Sequence, residues 1–166
     1  MSSGDAQFLP PQEYFASLAR KRIGAGALYR DEAGRVLLVE PVYQDTWILP
    51  GGAVEAEESP QAACRREVAE ELGLDRPVGR VLAVDWVPSQ PERPEGLVLI
   101  YDGGVLAAGE TEAIAVPAGE LAGFAFVCPD QVAERVTPAL ARRIAACLDA
   151  LAAGTVASLE DGAPPP

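Results

Sequence analysis

Six glutamates lie in the stretch GGAVEAEESPQAACRREVAEELGL from Gly51 to Leu74, and three of them, Glu67, Glu70 and Glu71, are spaced to act together. On a helix of about 100° per residue these three share one sector roughly 100° wide. Cys64, Val68 and Leu72 fall on the adjoining sector, so the carboxylates are expected at the edge of a core. On composition alone a solvated face is the commoner reading, since glutamate is a good helix former and Arg66 with Glu70 makes an ordinary i,i+4 pair. Like charges on an exposed helix cost only about 0.2–0.5 kcal/mol per pair. At a core edge, with charges about 5 Å apart and an effective dielectric of roughly 20, the repulsion rises to roughly 3 kcal/mol. A bound cation or raised pKa values would relieve it, and hard carboxylate oxygens select magnesium or manganese. The chain contains no histidine, which removes Ser-His-Asp and Cys-His chemistry and histidine-bound zinc, leaving carboxylates and metal as the natural catalytic apparatus.

The order of the residues overturns the solvated-face reading. Gly52, Glu58, Arg66, Glu67, Val68, Glu70, Glu71, Gly73 and Leu74 reproduce the pattern G-x5-E-x7-R-E-U-x-E-E-x-G-U, with U aliphatic, at every specified position. The chain thereby resembles the Nudix hydrolases over roughly Arg22 to Ala153, including the Trp47 to Gly52 run before the box. The resemblance implies an α/β fold of the α+β kind, an α-β-α sandwich around a central mixed β-sheet. It also implies hydrolysis of a phosphoanhydride bond in a nucleoside diphosphate-linked compound or a related organic pyrophosphate. Mg2+, with Mn2+ as a substitute, would be held by Glu67, Glu70, Glu71 and the Gly51 carbonyl, and Arg66 and Glu58 would orient the carboxylates. Metal would neutralise phosphate charge and lower the pKa of an attacking water, so a carboxylate base suffices. Glu67 could serve as that base, but many family members use a glutamate from a later loop. Glu110, Glu112 and Glu120 are the candidates, with Glu112 preferred because it opens an apparent strand after Gly-Glu-Thr.

The alternative is a catalytically silent Nudix module that senses a nucleotide, against which the intact glutamates argue. Isopentenyl diphosphate isomerases share the fold but rely on histidine-containing metal sites. The proline that marks many ADP-ribose pyrophosphatases and the tyrosine that marks dinucleoside polyphosphate hydrolases are not met cleanly, since Ser89, Gln90 and Pro91 occupy those places. The family resemblance also brings homodimerisation into consideration.

Composition bounds the partners. A net charge of -12, from 25 acidic and 13 basic residues, opposes binding to duplex nucleic acid and makes a metal necessary wherever an anionic substrate meets carboxylates. No apolar run is long enough for a bilayer and no signal peptide is apparent, so no membrane partner is expected. Cys64, Cys128 and Cys147 form no C-x-x-C pair, which fits a reducing cytoplasm. Trp47 and Trp86 read as packing residues, Cys64 as a small core residue, and Arg80 and Arg93 as surface charge.

The elements that must hold the glutamates follow from punctuation and periodicity. Ser59 as N-cap, Pro60 at the first helical position and Gly73 past the end bound a helix over Pro60 to Leu72. Ile23 to Tyr29 and Arg35 to Pro41 read as strands around an Asp31-Glu32-Ala33-Gly34 turn, followed by a short strand at Trp47 to Leu49. Val78 to Val87 and Leu97 to Leu106 add two strands, joined by a proline-rich loop, with short strands at Ala113 to Val116 and Gly123 to Val127. Pro129 to Arg135 and Pro138 to Ala153 read as helices. Residues 1–21 form an N-terminal extension, unordered at first and with a short amphipathic helix from Pro11 that gathers Tyr14, Phe15 and Leu18. Residues 22–153 form the Nudix domain, and 154–166 a tail expected to lack structure.

Overall fold

The computed structural model describes residues 8–117 and 119–166. The chain folds into seven strands: β1 (Arg22–Asp31), β2 (Val36–Pro41), β3 (Gly51–Ala53), β4 (Val81–Val87), β5 (Gly96–Leu106), β6 (Leu121–Val127) and β7 (Ala157–Glu160). They form one mixed sheet in the order β6-β2-β1-β5-β4-β7, with β3 paired to β1. β1 runs parallel to β5 and β4 parallel to β7, while the remaining pairs are antiparallel. The β1–β2 turn is closed by Asp31, whose Oδ1 accepts hydrogen bonds from the amides of Ala33 at 3.0 Å and Arg35 at 2.8 Å.

Period-2 alternation sends the two faces of β1 into different cores. Ala25, Ala27 and Tyr29 pack with Leu37, Val68 and Leu72 beneath α2 (Pro60–Leu72). Leu28 packs with Leu38, Leu82, Ile100 and Ile144 beneath α4 (Pro138–Ala153). The expected α-β-α sandwich is thus the fold observed, with the glutamate-bearing helix on one face of the sheet. No helix of the described residues is long and apolar enough to cross a membrane.

Several elements differ from expectation. Trp47 to Leu49 is no strand, because only Ile48 bridges to Val39, Trp47 donates its amide to the Arg135 carbonyl and Pro50 has no N–H to continue a ladder. The strand there is β3, which begins at the double glycine. Ala113 to Val116 is irregular, with the Ala115 amide on the Leu72 carbonyl at 3.0 Å. It follows a helix not foreseen, α3 (Ala108–Glu112), where Glu110 accepts the Ala107 amide at 3.0 Å. Pro129–Glu134 is a 3-10 helix. The short helix α1 (Pro11–Ser17) forms, but it buries none of its residues, and Tyr14, Phe15 and Leu18 remain exposed. Of the segment expected to be unordered at the N-terminus, residues 1–7 lie outside the described residues.

The largest difference is the tail. Residues 154–166, expected to lack structure, instead carry β7, which extends the sheet alongside β4, and Leu159 is buried in the α4 core. Asp161 and Gly162 then turn back, and the Gly162 amide donates to both oxygens of the fully buried Asp85. A Cβ at Gly162, where φ is 77°, would overlap the Ala139 carbonyl, so the turn requires glycine.

Candidate active site

α2 is held in register at both ends. Ser59 Oγ accepts the Ala62 amide at 3.2 Å, Pro60 occupies the first turn, and Gly73 closes the helix in the left-handed region at φ 69°. With the ends set, Ala63, Cys64, Val68 and Leu72 face the core, and the three glutamates follow at its edge. Glu71 lies deepest at 9% exposure, and Glu70 is the most open of the three.

Two glycines bring main chain against these carboxylates. The Gly51 amide donates to Glu71 Oε2 at 2.8 Å. Gly51 has φ 138°, and a Cβ there would overlap the Ala25 carbonyl and stand 2.5 Å from Gly26 Cα, so no other residue fits. At Gly52 a Cβ would fall within 2.6 Å of the Glu67 carboxylate. The double glycine is therefore a cradle that Glu67 fills from below.

Arg66 is the counter-ion of the cluster. Its Nε and Nη2 donate to the two oxygens of Glu58, each at 3.0 Å, and Nη1 reaches Glu67 at 2.9 Å and Glu70 at 3.2 Å. Nη2 also meets the Ala53 carbonyl at 3.2 Å, tying the helix to β3. Hydrogen bonds donated to Glu58 and Glu67 raise the pKa of the Arg66 guanidinium, and the same contact lowers that of Glu58. Glu71 is pushed up to about 7, first by burial and then by the charges of Glu67, Glu120 and Glu70, against the opposing pull of the Gly51 amide. Among the described residues no three acidic side chains converge into a ready-made metal cage. Carboxylates without a cation repel one another, and here Arg66 draws Glu67 and Glu70 toward itself. A buried Glu71 beside two further carboxylates and a glycine turn is a set of hard oxygen donors that fits a divalent cation.

The late glutamates separate cleanly. Glu120 lines a cleft of about 320 Å³ with Glu70, Glu71 and Leu121, and its charge contributes to the raised Glu71 pKa. Glu112, preferred from sequence, lies instead beside Asp31, Glu32 and Phe126 in a different cleft. Glu110 is bound to Arg76 at 2.8 Å. The preference for Glu112 followed from the strand expected at Ala113 to Val116, which does not form. Glu120 is positioned by the start of β6, whose Leu121 pairs with Pro41 and whose preceding residue accepts the Val42 amide at 2.9 Å. The proline and glycine before Glu120, at Pro117 and Gly119, were the available signal for a loop turning into that strand.

A family model for the NUDIX domain matches residues 20–147. The chain belongs to the Nudix family. Among curated proteins, diphosphoinositol polyphosphate phosphohydrolase 2 of Rattus norvegicus is 42% identical over 66 residues, 39% of this chain and 37% of that protein. A MutT-like protein of Streptomyces ambofaciens is 28% identical over 139 residues, covering 84% of each chain. Among solved structures, the MutT protein of Methanosarcina mazei Go1 superimposes with a TM-score of 0.65 at 23% identity, covering 83% of this Nudix chain and 99% of the other. The first relative thus shares little more than a third of its length with this Nudix protein, and the archaeal structure supports the fold alone.

Proposed function

We propose that this Nudix protein hydrolyses a phosphoanhydride bond of a nucleoside diphosphate-linked compound or a related organic pyrophosphate with Mg2+, for which Mn2+ substitutes. The observation that carries the reading is the complete carboxylate set around the double glycine. Glu67, Glu70, Glu71 and the Gly51 carbonyl would hold the metal, which supplies charge neutralisation and a more acidic water. Arg66, fastened to Glu58, ties down the Glu67 and Glu70 carboxylates through its Nη1 and so would orient them for the metal. Glu120, across the cleft, is the carboxylate suited to take the proton from water, in place of Glu112. Intact glutamates favour turnover over silent nucleotide binding.

The test is phosphate release, after phosphatase coupling, from nucleotide sugars, ADP-ribose, dinucleoside polyphosphates and coenzyme A, with Mg2+ and with EDTA. Metal-dependent release is expected from at least one, with Glu120→Gln lowering kcat by about a hundredfold. No metal-dependent release, together with no divalent uptake by calorimetry, would reject the proposal.

Glu71 makes metal binding depend on pH. A proton held up to about 7 competes with the cation, so affinity should fall as pH is lowered through that value. The sign for stability follows from the same shift. With a folded pKa above the ordinary 4.5, the Glu71 contribution is full below about 4.5 and is lost as pH rises through about 7. Added Mg2+ should therefore raise Tm more at about pH 8 than at about pH 6. Glu71→Gln should remove the difference, whereas an equal Mg2+ effect at both pH values in the parent protein would contradict this role.

A further inference from the structure

Arg22, Gly24 and Gly26 alternate onto the face of β1 that looks toward α4, opposite the glutamate helix. The two glycines leave the sheet bare, and a cleft of about 220 Å³ opens over them, bounded by Gly51, Gly52, Arg93 and Arg143. It adjoins a hollow of about 510 Å³ with which it shares Ile48, Arg93, Leu140 and Arg143. Carboxylates thus crowd one side of the double glycine, and guanidinium groups the other.

Three guanidinium groups brought this close repel one another unless something offsets their charge. Arg22 donates Nε to the Pro94 carbonyl at 2.8 Å, but its Nη2 is buried with no hydrogen-bond partner among the described residues. Burial, and then the charges of Arg93 and Arg143, lower the Arg22 pKa. Arg93 sits in a turn closed by reciprocal amide bonds with Gln90, at 2.8 and 3.0 Å, and makes no ion pair among the described residues. Arg143 is matched by Asp85, and Asp161 in the adjoining hollow is matched by Arg142 at 3.8 Å. Arg93 is therefore the charge left for a ligand in the cleft, and Arg22, which lines neither hollow, adds a second positive charge near it. An anion in the cleft would offset the repulsion among Arg22, Arg93 and Arg143.

We propose that this cleft is a subsite for a phosphate group carried by the substrate in addition to its scissile diphosphate, bound by Arg93 with Arg143 behind it and the charge of Arg22 beside the cleft. The inference rests on the hydrolytic reading above, and it narrows the substrate class to organic diphosphates whose organic moiety is itself phosphorylated. Among the described residues lining the two hollows none is aromatic, so recognition there is by charge and hydrogen bonding and not by stacking on a base. No metal is needed on this side, because the phosphate meets guanidinium groups and no unbalanced carboxylate.

Calorimetry in EDTA with inorganic tripolyphosphate tests the subsite without metal or turnover. The unmodified protein should bind it, more weakly as salt rises; Arg93→Gln should weaken binding at least tenfold, and Arg22→Gln, which removes only a neighbouring charge, should weaken it less. Arg93 is exposed, so its replacement leaves the fold undisturbed and carries the test if Arg22→Gln proves unstable. Arg65→Gln, which removes equal charge from the far side of α2, should retain the affinity. No binding, or equal losses in all three variants, would overturn the subsite. Because metal is absent, that result would leave the hydrolytic reading standing, and failure of the metal titration would equally leave a measured anion site in place.

Discussion

Glu67→Gln is expected to lower kcat by about 10²- to 10⁴-fold with little change in Tm. The substitution keeps the shape of the side chain beneath Gly52 and an acceptor for Arg66, which now contacts it at 2.9 Å. What is lost is one negative charge in the site proposed to hold a divalent cation against a diphosphate. Glu70→Gln and Glu71→Gln should act in the same direction. Glu71→Gln would preserve the acceptor for the Gly51 amide while removing a buried charge. Gly52→Ala separates charge from position, because its Cβ would collide with the Glu67 carboxylate and push it aside without altering its ionisation. That variant should lose about 10- to 100-fold in metal affinity, recoverable in part by high Mg2+, whereas Glu67→Gln should stay slow at saturating metal. Steady-state rates across a Mg2+ titration distinguish the two, and unaltered kcat in Glu67→Gln would remove this carboxylate from the chemistry.

The glutamate helix was legible because each of its determinants is local. Ser59, Pro60 and Gly73 declare the ends of α2 in their own backbone preferences, and the 3.6 period then decides which carboxylates adjoin Cys64, Val68 and Leu72. Glu120 depends instead on how β6 registers against β2, including an irregularity between Glu40 and Pro41, and no local periodicity encodes that distant pairing. The expected strand at Ala113 to Val116 misled for the same reason, since its small apolar residues find partners at the end of α2 and not along a strand. Arg93 read as ordinary surface charge because its neighbours Arg22 and Arg143 are far away in the chain. β7 was hidden by its composition, as Gly154 and the terminal prolines suggest disorder while Leu159 alone signals burial.

The tail also explains the second large effect, a loss of about 3–5 kcal/mol in stability when Asp85 is replaced by alanine. Asp85 is wholly buried in β4, and its Oδ2 accepts from Arg143 Nε at 2.6 Å while the Gly162 amide approaches both oxygens at 3.0 and 3.1 Å. Removing the carboxylate leaves a nearly buried guanidinium and a buried amide without their acceptor, which is dearer than never having assembled the set. Truncation after residue 153 should cost less, since it removes the amide and the β7 pairing but leaves the Asp85–Arg143 ion pair. Asp85→Leu combined with Arg143→Met should be more stable than Asp85→Ala, because no uncompensated charge remains. Urea unfolding of the three variants measures the order, and a change below about 1 kcal/mol in Asp85→Ala would refute the account. Arg143 lines the cleft beside Gly51, so the contact that latches β7 to the sheet also fixes a guanidinium next to the double glycine. The C-terminal strand is thereby coupled to the geometry of the cleft beside the double glycine.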